Sequence, residues 1–388
     1  MLGSAGSSGP KASASPLSTS SQTASLVVSA LAHGSWRRLP RSPLGDRDSP
    51  VLVWDGREVL EIGGTARRIA QPDGVAFDPM TSTWRRIATA PGRIGTAGEA
   101  AVWTGRQVFL FGGQTAPRGS GMLSCCVAGL YDPVRNAWST SSAAPTGELA
   151  QVTAVWTGAT IVVAGVREDG HMVAATYNPA DDHWSRIDPS LPVGHPALGV
   201  ALATASDRVI LWSMWGRWVQ TGAREYTGYS GIDVYRLGAD RGWQDVTASW
   251  SQDESVPTPV TAGAQVLIPP TDTWCGGCSH PIRTGAHGYV LDPATMHATV
   301  IPHGPLDDAR PQIVWTGAAQ VAVAQSLITG SGVHIRPGDV AFWNPTSTTW
   351  TPGPRMPDRA AQTTWAAAWA DNRLLILAAN GDLLTLRP

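Results

Sequence analysis

The tightest constraint on this chain is a tryptophan that returns at a near-constant interval. Trp36, Trp84, Trp138, Trp184, Trp243 and Trp350 recur about every 50 residues, and His297 fills the corresponding place in Leu291-Asp292-Pro293-Ala294-Thr295-Met296-His297. Each closes a unit whose most intact copy is Ala101–Trp138. That copy reads Ala101-Val102-Trp103-Thr104-Gly105, then Val108-Phe109-Leu110-Phe111, then Gly112-Gly113, a variable insert, and Leu130-Tyr131-Asp132-Pro133 ahead of Trp138. A unit of this length cannot bury its apolar face alone, so neighbouring copies must stack and share a core.

The opening of the unit returns as Val53-Trp54-Asp55-Gly56, Val155-Trp156-Thr157-Gly158 and Val314-Trp315-Thr316-Gly317, and more distantly as Ala368-Trp369-Ala370-Asp371-Asn372. Apolar runs on either side of a two-residue polar step predict a β-hairpin. A second turn returns as Phe77-Asp78-Pro79, Tyr177-Asn178-Pro179, Leu291-Asp292-Pro293 and Trp343-Asn344-Pro345. Asp or Asn starts such a turn by accepting from nearby backbone N–H groups, and Pro presets φ.

The unit is therefore four short strands, a to d, and such units stacked radially make an all-β propeller. Six blades are expected over 49–91, 95–145, 148–192, 197–250, 256–305 and 309–357. Residues 360–388 hold three apolar runs and no closing tryptophan, while Gly34–Pro40 is a closing strand with nothing before it. Joining them completes a seventh blade, its last strand drawn from the N-terminal end. The alternative, six blades with loose ends, leaves apolar strand edges exposed.

The doublets Gly63-Gly64 and Gly112-Gly113, the Tyr131-Asp132-Pro133 turn and the spaced tryptophans resemble kelch repeats, as in the propeller domain of galactose oxidase. The resemblance covers 33–388, is specific in blades 1, 2, 3 and 6, and is weak in blades 4 and 5. It implies a kelch-type β-propeller over 31–388. The copper site of galactose oxidase, with its Tyr, His and cross-linked Tyr–Cys, cannot be mapped onto this chain residue by residue, so no cofactor is implied. The kelch-like bacterial propellers include a sialic acid mutarotase, so by resemblance an epimerase, mutarotase or lyase of acidic sugars is admitted as a second reading.

Composition narrows the function classes. The formal net charge of −2 offers no global attraction for nucleic acid. Lys11 is the sole lysine, which excludes a Schiff-base or P-loop lysine from the folded part. Scarce lysine with abundant Ala, Gly, Pro and Arg suggests a GC-rich bacterial genome. No apolar run approaches the roughly 20 residues that span a bilayer. Residues 1–30 are rich in Ser, Gly and Ala, bury little apolar surface, and read as a disordered tether. A tether of this kind resembles the linker behind an export signal or lipid anchor, so an extracytoplasmic, monomeric protein is expected.

In a meander, the a–b and c–d turns share one face, and the b–c loops and d–a crossings share the other; we call these the turn face and the crossing face. The copies differ most in the b–c loops, so ligand contacts are expected on the crossing face. Blade 4 carries Trp215, Arg217, Trp218, Tyr226 and Tyr229, and blade 5 carries Trp274 and Arg283. Together they predict an aromatic patch with adjacent cations, which suits sugar rings or a protein hot spot. Arg47, Arg93, His195, Arg310 and Arg359 on the crossings predict a polar ring at the channel mouth.

All four cysteines fall in b–c loops: Cys125, Cys126, Cys275 and Cys278. Disulfides, reduced structural thiols, and a zinc site using Cys275, Cys278 and His280 all remain open. No His spacing matches a metal motif, and no catalytic motif is present. The leading expectation is thus a non-catalytic propeller that binds a glycan or a protein. An acidic-sugar enzyme and a structural scaffold are the alternatives.

Overall fold

The computed structural model describes residues 17–92, 94–115, 125–189, 196–205, 207–220, 226–238, 242–247, 259–269, 288–306, 311–324, 328–330, 333–335, 337–357 and 365–387. Seven four-stranded antiparallel sheets form a β-propeller. Strands a to d of blade 1 are Val51–Trp54, Val59–Ile62, Gly74–Asp78 and Thr83–Arg86; those of blade 2 are Gly95–Trp103, Val108–Thr115, Cys125–Asp132 and Ala137–Glu148. Blade 3 uses Gln151–Trp156, Ile161–Val166, Met172–Asn178 and His183–Arg186, and blade 4 uses Ala197–Ala205, Arg208–Gln220, Tyr226–Leu237 and Trp243–Asp245. Blade 5 uses Val260–Ala262, Gln265–Ile268, Tyr289–Asp292 and His297–Val300, and blade 6 uses Gln312–Trp315, Gln320–Val323, Val340–Asn344 and Thr349–Pro352.

Blade 7 combines Trp365–Ala370, Arg373–Ala378 and Leu383–Arg387 with Ser35–Leu39 as strand d. Trp36 pairs with Leu386 in that closure. Strand a of each blade touches strand a of both neighbours all the way round, so the ring is shut.

Each seam between blades is its own core. Strand b lies between two seams, which explains why its run is apolar without alternation. Val59–Ile62 is buried at every position. Val59 packs with Leu375 and Leu377 of blade 7, while Leu60 and Ile62 pack with Val108 and Leu110 of blade 2. Burial of one such side chain contributes about 1.5–3 kcal/mol.

The closing tryptophans fasten the seams. The indole Nε1–H of Trp84, Trp138, Trp184, Trp350 and Trp36 donates to the carbonyls of Pro40, Ala88, Ser142, Pro302 and Pro354, at 2.7, 2.7, 3.1, 2.7 and 2.8 Å. Trp243 donates likewise to the Ile187 carbonyl. Each acceptor lies on or just after strand d of the preceding blade. The seam between blades 4 and 5 has His297 at this position, and there Arg236 Nη1 donates to the Ala294 carbonyl at 2.8 Å.

The turns follow the side chains that begin them. Asp132 Oδ1 accepts from the N–H groups of Val134 and Arg135, both at 3.0 Å, and Asn344 and Asp292 cap their turns in the same way. The Asp-Gly and Thr-Gly steps were expected to be two-residue turns. They are four-residue turns instead: Trp54 pairs with Val59, and Asp55 Oδ1 holds the N–H groups of Arg57 and Glu58. Of the steps singled out, Asp371-Asn372 is a two-residue turn, with the positive φ values (49° and 56°) that a type I′ turn needs. Gly63 shows why the doublets are glycine. Its φ is +67°, and a Cβ there would sit 2.1 Å from the Thr96 carbonyl oxygen of blade 2.

One sequence expectation is corrected. Where composition predicts a tether through residue 30, a helix runs over Leu17–Ala32. Ala24, Val28 and Leu31 repeat at i, i+4 and i+7 and are buried against the outer strands of blades 6 and 7. Asn344 Nδ2 donates to Ser25 Oγ at 3.0 Å. Residues 1–16 lie outside the described residues. Among the described residues no helix is long and apolar enough to cross a membrane.

Candidate functional site

Among the described residues the longest strand pairing reaching the crossing face is that of strands b and c in blade 4. There strand a stops pairing with strand b at Ala197 and Trp215. Strands b and c continue from Gly216 with Ser230 to Gln220 with Tyr226. These five further pairs form a two-stranded ribbon about 17 Å long, at roughly 3.4 Å per residue. Strand b runs from the turn face outward, so the ribbon stands on the crossing face. It carries Arg217, Trp218, Tyr226 and Tyr229.

In its register Arg217 pairs with Tyr229, Trp218 with Gly228 and Gln220 with Tyr226. Trp215 is at the base, and its ring covers Gly231: a Cβ on Gly231 would lie 2.7 Å from Trp215 Cζ2. Trp215 therefore fixes where the ribbon leaves the blade. Trp274, Arg283, Arg93, His195, Arg310 and Arg359 lie outside the described residues, as do Cys275, Cys278 and His280.

Arg47 was expected to line an open channel mouth, but its side chain is only 7% exposed. Its Nη2 donates to Asp73 Oδ1 at 2.7 Å. The crossing that carries it is tied to blade 7 by bonds from the N–H groups of Ser42 and Arg47 to the carbonyls of Gly381 and Ala379.

Beside this pair sits Glu61, at the crossing end of strand b in blade 1 and 1% exposed. Ser42 Oγ donates to Glu61 Oε2 at 2.5 Å. Burial pushes the Glu61 carboxyl up to about 7, against the lowering effects of the Ser42 hydrogen bond and the Arg47 charge; Asp73 adds to the rise. Glu99, on strand a of blade 2, is also perturbed. Its carboxylate oxygens are buried with no partner beyond its own main chain, and burial pushes it up to about 8. The two strands meet where the Gly64 N–H donates to the Thr96 carbonyl at 2.7 Å.

Sequence reasoning passed over both glutamates. The available signal was a charge inside an apolar run: Val59-Leu60-Glu61-Ile62, and Glu99 ahead of Ala100-Ala101-Val102. A carboxyl that holds its proton near neutrality can donate it, which is the requirement for a general acid.

Cys125 opens strand c of blade 2 and Cys126 follows with a φ of 69°. Cys126 is not a free thiol. Among the described residues no group of three or more His, Cys, Asp and Glu side chains is placed to hold a metal ion.

No family model matches the chain, and no curated protein does. Among solved structures, one described as "Structure of YjhT" aligns at 16% identity with a TM-score of 0.46, covering 69% of this chain and 87% of that one.

Proposed function

We propose that this protein is a recognition propeller of kelch type that binds a glycan or a protein on its crossing face, with the blade 4 ribbon as the principal contact. The observation that carries this reading is the ribbon itself. This paired hairpin outruns both of its sheet neighbours, and its sequence concentrates Arg217, Trp218, Tyr226 and Tyr229. Aromatic and arginine side chains on a pre-ordered strand pair supply contact area at low entropic cost. An oxidising, extracytoplasmic setting belongs to the same reading, with Cys126 in a disulfide to one of the other three cysteines. The test is a glycan array together with capture of proteins on immobilised wild-type chain and on Trp218→Ala and Trp274→Ala variants. Capture of a glycan or protein that weakens in both variants is expected. Equal capture by both variants and wild type counts against the reading.

A second reading rests on a different observation, the proton-holding carboxyls of Glu61 and Glu99. In it the protein catalyses proton transfer on an acidic sugar. Anomeric exchange of acidic monosaccharides, followed by NMR, tests it. Exchange above the protein-free rate that is lost in Glu61→Gln and Glu99→Gln supports it, and exchange at the protein-free rate contradicts it.

A further inference from the structure

The crossing face does not account for a charged cleft that opens on the turn face between blades 1 and 2. Its volume is about 1020 Å³, at the upper end of the ~300–1,000 Å³ range of small-molecule sites. One lip is built by the turns of blade 1 around Asp55 and Asp78, and the other by the turns of blade 2 around Thr104 and Asp132.

The acidic groups of the cleft are already engaged. Asp55 Oδ1 accepts from the Arg57 and Glu58 N–H groups, Asp78 Oδ1 from Met80 and Thr81, and Asp132 Oδ1 from Val134 and Arg135. Glu58 takes both nitrogens of a two-pronged pair with Arg85, at 2.9 and 2.5 Å. The cations are not consumed in the same way. Arg57 on one lip and Arg106 on the other are exposed and have no ion-pair partner among the described residues. Arg135 approaches only Asp132, at 3.9 Å, and its side chain is 73% exposed. The cleft therefore holds four arginines and four carboxylates, and it presents Arg57 and Arg106 from two sides while the carboxylates are bound to their own turns and to Arg85.

The remaining lining decides which anion fits. Half-buried Trp103 forms part of the wall, and the Thr81 and Thr83 hydroxyls stand at the rim. An aromatic face with hydroxyl groups and arginines matches a sugar ring that bears a carboxylate. An extended peptide fits less well. The turns that build the lips have committed backbone N–H groups to Asp55, Asp78 and Asp132, and those groups cannot pair with a peptide.

We infer that the turn-face cleft between blades 1 and 2 is a second binding site, for a short oligosaccharide of uronic acids, with Arg57 and Arg106 holding its carboxylates and Trp103 beneath a sugar ring. The site is independent of the crossing-face ribbon, and either can fail without the other.

Titration calorimetry on the full chain, with trigalacturonate, maltotriose and triglutamate as probes, tests this. Trigalacturonate is expected to bind, to weaken as salt rises, and to lose about tenfold or more in affinity in the Arg57→Ala/Arg106→Ala double variant. Both arginines are exposed, so the double variant is expected to keep the wild-type melting temperature. Maltotriose is expected not to bind, and Trp218→Ala is expected to bind trigalacturonate as wild type does. The inference is overturned if trigalacturonate does not bind, if the double variant binds it unchanged, if triglutamate binds equally well, or if Trp218→Ala abolishes the binding.

Discussion

Glu61 makes folding stability depend on pH in a direction opposite to that of most carboxylates. Its carboxyl is buried at the seam of blades 7 and 1 and holds its proton up to about 7, against an ordinary value of 4.5. The unfolded chain releases that proton near 4.5, while the folded chain keeps it until about 7. Between those limits the folded state binds more protons, so stability falls as pH rises. The interval from 4.5 to about 7, at about 1.4 kcal/mol per pH unit, amounts to roughly 3 kcal/mol. The stabilisation is fully present below 4.5 and gone above about 7. Glu61→Gln keeps the shape and a group able to accept from Ser42 Oγ, and it removes the titration. Urea unfolding followed by tryptophan fluorescence across this window reads the difference. Wild type is expected to lose roughly 3 kcal/mol more than Glu61→Gln on going from acid to mildly alkaline pH. Parallel pH profiles for the two proteins would refute the reasoning. Arg47→Ala removes a charge that holds the Glu61 carboxyl down, and is expected to carry the fall to higher pH.

Trp138→Phe keeps most of the ring and deletes the bond to the Ala88 carbonyl; it should cost about 1–2 kcal/mol in urea unfolding. His297→Phe, at the seam where the bond across runs from Arg236 to the Ala294 carbonyl and not from a closing tryptophan, should cost less. Leu31→Ala should lower stability by about 2–5 kcal/mol, because Leu31 is fully buried between the helix and the outer strands; an unchanged melting temperature would show that the helix is not part of the folded unit. Gly63→Ala should cost well over about 1 kcal/mol, since the position has positive φ and its Cβ would run into the Thr96 carbonyl. A variant that folds with wild-type stability would contradict that close approach.

The propeller was legible because each blade repeats the same physical problem. A strand between two seams must be apolar throughout, a four-residue turn needs Asp or Thr ahead of Gly, and a closing Trp needs a carbonyl on the blade before it. Those demands leave residues at fixed offsets, and the unmatched ends near Trp36 and Leu386 therefore identified the closure. The helix was hidden because its anchoring stripe is three residues, Ala24, Val28 and Leu31, within a Ser- and Ala-rich segment. Glu61 and Glu99 were hidden because the placement of a lone charge in a strand depends on the seam it faces, which is set by neighbouring blades. The blade 4 aromatics were recognised as unusual, but the paired ribbon that carries them depends on a strand register that no local motif marks.

The most direct measurement of the central claim removes the ribbon and leaves the blade. Residues 217–229 are replaced by Asn-Gly, so that Gly216 and Ser230 are joined through a tight turn while the pairing of strands a to d below it is untouched. Capture of the ligand found on the wild-type chain is then compared with the melting temperature of the same variant. The account predicts a near-wild-type melting temperature and at least about a tenfold loss of capture. Capture at wild-type strength by the shortened protein would contradict it.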